Sequence, residues 1–268
     1  MPRPCNTNDE NRKEFQLTII IPCHNHADMI CQALESILNQ AAPSVKTQLK
    51  IVVVDDGSTD NPLSAIKEYY GWEEENGHGK LKMSHSGAYA DLYFIRNNEP
   101  TGPSAARNKA AKHVWDNTDA FMMLDADDLY LPNKIQKSVN IFLTDPKRIG
   151  IVYTDAIIKN LNTGTEVHEY RQPFDRQQLE RECIISNTPL INKIAFGKAG
   201  GYDETMRTCE DWDLWLRITE EFVAIHIPEP LHVYHVTGRN STDVVPIEIW
   251  QQNWAKIRHK MMQRRHVS

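Results

Sequence analysis

The sequence predicts an α/β protein with a mostly parallel central sheet and helices on both faces. Two patterns carry that reading. Short β-branched apolar runs alternate with segments whose apolar residues recur at helical spacing, the order that builds a parallel sheet. Two of the runs end abruptly in aspartates, Asp55-Asp56 and Asp125-Ala126-Asp127-Asp128. In such sheets the carboxyl ends of the strands share one edge, where ligands bind.

The elements follow in order. Residues 1–16 read as a polar tail, and Leu17 to Pro22 as a buried first strand. Met29, Ile30, Ala33, Leu34, Ile37 and Leu38 make the apolar stripe of a helix. Lys50 to Val54 is the second strand. After it, Asp60 or Asn61 caps a helix with Pro62 at its first position. Residues 71–90 hold four glycines, three consecutive glutamates and two histidines, a polar loop or loose hairpin inserted between helix and strand. Leu92 to Ile95 is a third strand, Ser104 to Trp115 a helix, and Phe121 to Leu124 a fourth strand. The second half is less regular, with a strand at Ile149 to Thr154 and helices near 189–199 and 210–221. One domain is expected over 17–244, followed by a basic amphipathic helix within 245–268. That helix carries Trp250, Trp254, Ile257 and Met261 at helical spacing, with Lys256, Arg258, Lys260, Arg264 and Arg265. It docks on the core, lies on an anionic membrane surface or binds a partner.

Composition narrows the class. The chain has 268 residues, 40% hydrophobic and 25% charged, which excludes collagen-like, disordered and disulfide-scaffold proteins. Its net charge of -6 argues against a nucleic-acid partner. The longest apolar stretch, Leu17 to Pro22, falls far short of the ~20 residues of a membrane span. Residues 1–14 lack the apolar run of a secretory leader. The five cysteines are scattered, with no CxxC pair, so neither a disulfide framework nor a zinc site is expected. A cytoplasmic location is the expectation, with peripheral contact to the inner membrane face through 246–265 as an added option.

The acids suggest the chemistry. Carboxylates converging at one sheet edge repel unless a cation lies between them. Hard divalent cations prefer oxygen, and magnesium typically takes one or two carboxylates together with phosphate oxygens. The competing reading is plain turn and cap chemistry, since Asp-Gly-Ser is a turn signature and Asp125–Asp128 could cap a helix starting near Pro132. No GxGxxG follows the first strand, and no GxxxxGK[ST] or GxSxG occurs.

Six segments, in order, resemble the inverting glycosyltransferases of family 2. They are Thr18-Ile19-Ile20-Ile21-Pro22-Cys23-His24-Asn25, Val53-Val54-Asp55-Asp56-Gly57-Ser58-Thr59-Asp60, Gly102-Pro103-Ser104-Ala105-Ala106-Arg107-Asn108, Leu124-Asp125-Ala126-Asp127-Asp128, Gly200-Gly201-Tyr202-Asp203-Glu204 and Glu210-Asp211-Trp212-Asp213-Leu214-Trp215-Leu216-Arg217. The resemblance implies the GT-A fold, a UDP-sugar donor, Mn2+ or Mg2+, and transfer to a hydroxyl of a glycan or lipid-linked glycan, as in cell-surface polysaccharide synthesis. By the same resemblance, Pro22, His24 and Asn25 border the nucleotide base, with His24 where tyrosine is usual, and Asp56 bonds the uracil. Arg107 and Asn108 cover the donor, and Asp125 meets ribose or sugar. Asp127 ligates the metal, with His235, or its rival His232, nearby. Arg239 meets the diphosphate, Asn187 and Glu210 face the acceptor, and Asp211 is the general base. Two other readings stay open, a nucleotidylyltransferase and a sugar-nucleotide-binding protein without activity.

Overall fold

The computed structural model describes residues 14–41, 45–84 and 89–265. Most of the expected polar tail, part of the 71–90 insertion and the last three residues lie outside them.

The strands are β1 (Phe15–Cys23), β2 (Thr47–Asp56), β3 (His78–Lys82), β4 (Tyr89–Asn97), β5 (Ala120–Met123), β6 (Leu129–Tyr130), β7 (Ile149–Asn160), β8 (Glu166–Glu169), β9 (Leu190–Asn192) and β10 (Val223–Val236). The helices are α1 (Ile30–Leu38), α2 (Pro62–Tyr70), α3 (Pro103–His113), α4 (Lys134–Phe142), α5 (Arg176–Leu179), α6 (Lys193–Lys198), α7 (Glu210–Ile218), α8 (Ser241–Val244) and α9 (Ile247–Arg265).

One sheet runs in the order β3-β4-β2-β1-β5-β9-β7-β10-β6, with β8 also paired to β7. Strands β4, β2, β1 and β5 are mutually parallel, as are β7 and β10. Alternate residues of the buried strands feed two cores. Leu17, Ile19, Ile21, Ile51, Val53 and Met122 pack with α1 and α4. Ile20, Val52, Val54, Phe121 and Met123 pack with α3, α6 and α7. Strands buried on both faces read as continuous apolar runs, which is why these were legible.

Several expectations resolve here. Asn61, not Asp60, caps α2, in the left-handed region (φ 58°) and accepting from the Ser64 amide. Asp60 instead accepts from the Ala27 amide at 2.8 Å. Helix α4 begins at Lys134, and β6 separates it from Asp125–Asp128, so those acids do not cap it. The helix expected near 189–199 begins instead with strand β9, which closes the gap between β5 and β7 by antiparallel pairing with both. Its three residues are fully buried and too few to show a period. The expected helix 210–221 ends at Ile218. Within 71–90, β3 is an edge strand antiparallel to β4.

Helix α9 docks against α7 through Ile257, which is buried in the second core. Lys256, Lys260 and Arg264 face acids of the domain, pairing with Asp203, Asp213 and Glu220. No helix of the described residues is long and apolar enough to cross a membrane.

Candidate active site

The parallel register aligns the carboxyl ends of β1, β2, β4 and β5. Cys23 pairs with Asp55, and Asp56 with Asn97. The segments after these strands therefore share one crevice.

Its first wall is the turn after Pro22. Asn25 sits in the left-handed region (φ 56°), which Asn tolerates. Its backbone amide donates to Ser58 Oγ at 3.0 Å, and its side-chain oxygen accepts from the Thr59 amide at 2.9 Å. His24 Nδ1 lies 2.8 Å from the Asp56 carbonyl, so it carries the proton and donates. Nε2 then accepts from the Asn25 amide group at 3.1 Å. The exposed imidazole is thus held in one orientation. Arg239 reaches the same rim, donating to the Asn25 carbonyl at 3.3 Å and pairing with Asp28 at 3.0 Å.

Asp56 is turned inward. Its carboxylate accepts from Asn97 Nδ2 (2.7 Å), the Thr101 hydroxyl (2.7 Å) and the amides of Thr101 and Gly102. Burial pushes its pKa up, but these four donors outweigh burial and hold it below the ordinary carboxylate value. Both oxygens are committed to the loop that leads into α3. These bonds fix the Asp56 carboxylate at the crevice floor, between the end of β2 and the loop before α3. Gly57 is required beside it, since a Cβ there would stand 2.7 Å from the backbone of Glu99 and Pro100.

The second wall carries the acid cluster. Asp128 is fully buried, and its carboxylate accepts from the His235 amide at 2.9 Å. The β6–β10 pairing brings this about, because it lays β10 along the segment after Asp128. His235 Nδ1 then donates to the Asp127 carbonyl at 2.5 Å, leaving Nε2 as the lone-pair nitrogen. His232, the rival, is buried away beside Thr154. Burial, then the charge of Asp125, raises the Asp127 pKa. Burial and the charges of Asp127 and Asp125 raise that of Asp128 well above its ordinary value. Asn187 spans Asp125 (3.2 Å) and Asp128 (3.5 Å), which places it among these acids.

Arg107, on α3, joins the cluster to α7. Its guanidinium donates to Asp125 Oδ1 at 2.6 Å and to Glu210 Oε1 at 2.9 Å, and lies over the Tyr202 ring. Burial works against its charge, but Asp125, Tyr202 and Glu210 outweigh burial and keep it protonated.

Helix α7 begins with three acids in its first turn. Glu210 is taken by Arg107, and Asp213 by Arg217 at 2.8 Å and Lys260 at 3.0 Å. Among the described residues, Asp211 makes no ion pair and accepts from the amide of Trp212, within its own turn, at 2.7 Å. Burial, then the neighbouring charge of Glu210, raises its pKa to about 6. A carboxylate poised there is matched to general-base work near neutral pH.

Two residues missed by sequence reasoning also matter. His26 Nε2 lies 3.9 Å from Asp127 Oδ2 and its Nδ1 is buried without a partner, a position one residue past the turn that carried the motif. Tyr202 roofs Arg107. Asn108, expected at the donor, is instead absorbed by the fold. Its side chain donates to the Tyr202 carbonyl and Glu204, and accepts from the Tyr202 amide, all at 2.9 Å. This bracing explains why position 201 is glycine: a Cβ there would stand 2.7 Å from Asn108 Oδ1.

Among the described residues, no three His, Cys, Asp or Glu side chains gather closely enough to hold an ion unaided. The donor set still suits a divalent cation that shares phosphate oxygens. Asp127 offers a largely buried carboxylate under repulsion from Asp125, and His235 offers an imidazole oriented by a carbonyl, the usual support of a ligating histidine.

Residues 18–196 match the sequence pattern of Glycosyl transferase family 2, and residues 177–247 that of Glycosyltransferase like family 2. An uncharacterised glycosyltransferase of Haemophilus influenzae is 26% identical over 80% of this chain and 66% of its own length. The chondroitin synthase of Pasteurella multocida is 24% identical over 94% of this chain but only 24% of its own length. Among solved structures, S. aureus TarS in complex with UDP-GlcNAc superposes with a TM-score of 0.63 at 17% identity, covering 87% of this chain and 62% of that one. The mannosyltransferase PcManGT of Pyrobaculum calidifontis, in complex with GDP-Man and Mn2+, gives 0.60 at 22%, covering 85% and 59%. The fold is thus the GT-A fold that the motifs implied, and the chain belongs to glycosyl transferase family 2.

Proposed function

We propose that the protein transfers a sugar, with inversion, from a UDP-sugar to a hydroxyl of a glycan or lipid-linked glycan. The observation that carries this reading is the division of charge in the first turn of α7. Glu210 and Asp213 are neutralised by cations, while Asp211 keeps a raised pKa of about 6. An acid left in this state beside the donor wall serves to take a proton from an attacking hydroxyl. Attack from the face opposite the leaving diphosphate gives one displacement and inverted stereochemistry.

In this reading His24, Asn25 and Arg239 form the nucleotide rim, and Asp127 and His235 hold Mn2+ or Mg2+. That cation would supply charge neutralisation on the leaving diphosphate. Arg107 fixes Asp125 toward the donor. The choice of UDP draws support from TarS, whose structures are with UDP and UDP-GlcNAc, and the choice of metal from PcManGT with Mn2+. A glycan acceptor draws support from the chondroitin and hyaluronan synthases among the relatives.

The test is a donor screen that follows nucleotide release in wild type and in Asp211→Asn. Release of UDP that falls ~10²–10⁴-fold in the variant, at unchanged UDP affinity, is the expected result. Equal rates would overturn the base assignment. Release of pyrophosphate would point to nucleotidyl transfer instead. Binding without any turnover on a broad acceptor panel would favour the inactive binding protein.

A further inference from the structure

Helix α9 begins at Ile247, where the matched sequence patterns end. It does more than cover the core. Lys260 Nζ lies 2.6 Å from Asp203 and 3.0 Å from Asp213, so one ammonium ties the loop before α7 to the first turn of α7 itself. Lys256 adds a second tie to Asp203 at 3.0 Å and another to Thr205. Asn253, buried, donates to the Thr208 hydroxyl at 2.9 Å, and Trp254 reaches Cys209. Cys209 is the residue from which α7 starts, in the left-handed conformation (φ 58°). A non-glycine residue there is strained, and neighbours must hold it in place. At the far end of α7, Arg264 pairs with Glu220 at 2.5 Å.

These ties converge on the two sides of Asp211. The loop before it is held at Asp203, Thr205 and Thr208, and the helix after it at Asp213. A cation near a helix N-terminus opposes the helix dipole. Lys260 is tolerated there because two carboxylates bracket it. Without Lys260, Asp213 would keep Arg217 and Asp203 would keep Lys256, but no ammonium would join Asp203 to Asp213.

We propose that α9 is a strap that sets the position of Asp211, and that Lys260 is its positioning residue, acting through Asp203 and Asp213. The proposal rests on the reading of Asp211 as the base.

The test compares full-length wild type, Lys260→Met, Lys260→Arg and the control Lys198→Met, which removes an exposed pair between the end of α6 and Glu221 in the turn after α7. Three quantities are read: hydrogen exchange of peptides within 203–218, affinity for UDP with Mn2+, and UDP release from UDP-GlcNAc. Lys260→Met is expected to speed exchange in 203–218 and lower UDP release, each at least ~10-fold, with UDP affinity within twofold of wild type. Lys260→Arg restores both, and Lys198→Met changes none of the three. Unchanged exchange in Lys260→Met would overturn the strap. Loss of UDP affinity together with a general fall in melting temperature would also overturn it, because it would mark ordinary packing. A wild type that binds no UDP would fail the donor reading separately, and the exchange arm would then decide whether α9 holds the loop.

Discussion

Replacing Arg107 with Met removes the cation that bridges Asp125 and Glu210 while keeping most of the apolar bulk. Arg107 is 5% exposed, so its two ion pairs, at 2.6 and 2.9 Å, are poorly screened. Removing one partner of a buried pair typically costs ~3–5 kcal/mol, because the remaining charge is left without compensation. The Asp125 side chain is 28% exposed and can regain water, which argues for the lower end. A loss of about 3 kcal/mol corresponds to a fall of roughly 6–12 °C in melting temperature for a domain of this size. Urea unfolding and calorimetry measure it. Arg107→Lys should recover only part, since an ammonium lacks the planar fork that serves two carboxylates at once. A Met variant within ~1 kcal/mol of wild type would refute the claim that this bridge holds the acid cluster to α7.

The other expectations follow from the same contacts. Because the Asp211 pKa is raised to about 6 and the base must be ionised, turnover should be level above that pH and fall about tenfold per unit below it. A pH–rate profile with no limb near 6 would contradict this. Asp56→Asn turns an acceptor of four donors into a group with an NH2 facing amides, and should cost about 2–3 kcal/mol in urea unfolding. The Asp56 pKa is lowered by folding, so its contribution is complete above the ordinary carboxylate value and is lost as pH falls through the folded one. The acid limb of the stability curve should therefore flatten in the variant. Gly201→Ala, at φ 72° and facing Asn108 at 2.7 Å, should lower stability by ~1–3 kcal/mol, and a neutral effect would remove the role given to that turn.

What was legible in the sequence was local. Runs such as Leu17–Pro22 and Phe121–Leu124 announce buried parallel strands, and the aspartates that follow lie at one edge because parallel strands share direction. Asp127 and Asp211 were singled out through motif order, and Arg107 bonds Asp125 and Glu210, which lie close to them in the chain. What was not legible depends on distant partners. Asn108 looks like a donor contact until its partners, 94 and 96 residues away, are seen. The donors that orient Asp56, from Asn97, Thr101 and Gly102, likewise lie more than 40 residues along the chain. Strand β9 has three residues and no period to read, and its place comes from neighbours on both sides. The apolar stripe of α9 suggested docking on the core, and its basic residues left a lipid surface as an option. Three of them meet acids that lie far apart in the chain, and no pattern within the helix could reveal that.

The most direct measurement is calorimetric titration with UDP, in Mn2+ and then in excess EDTA, on wild type and Asp127→Ala. Binding that needs the metal and is lost in the variant is the predicted result. UDP binding that is indifferent to both EDTA and Asp127, or no binding by a folded protein in Mn2+, would contradict the metal-dependent UDP-sugar site.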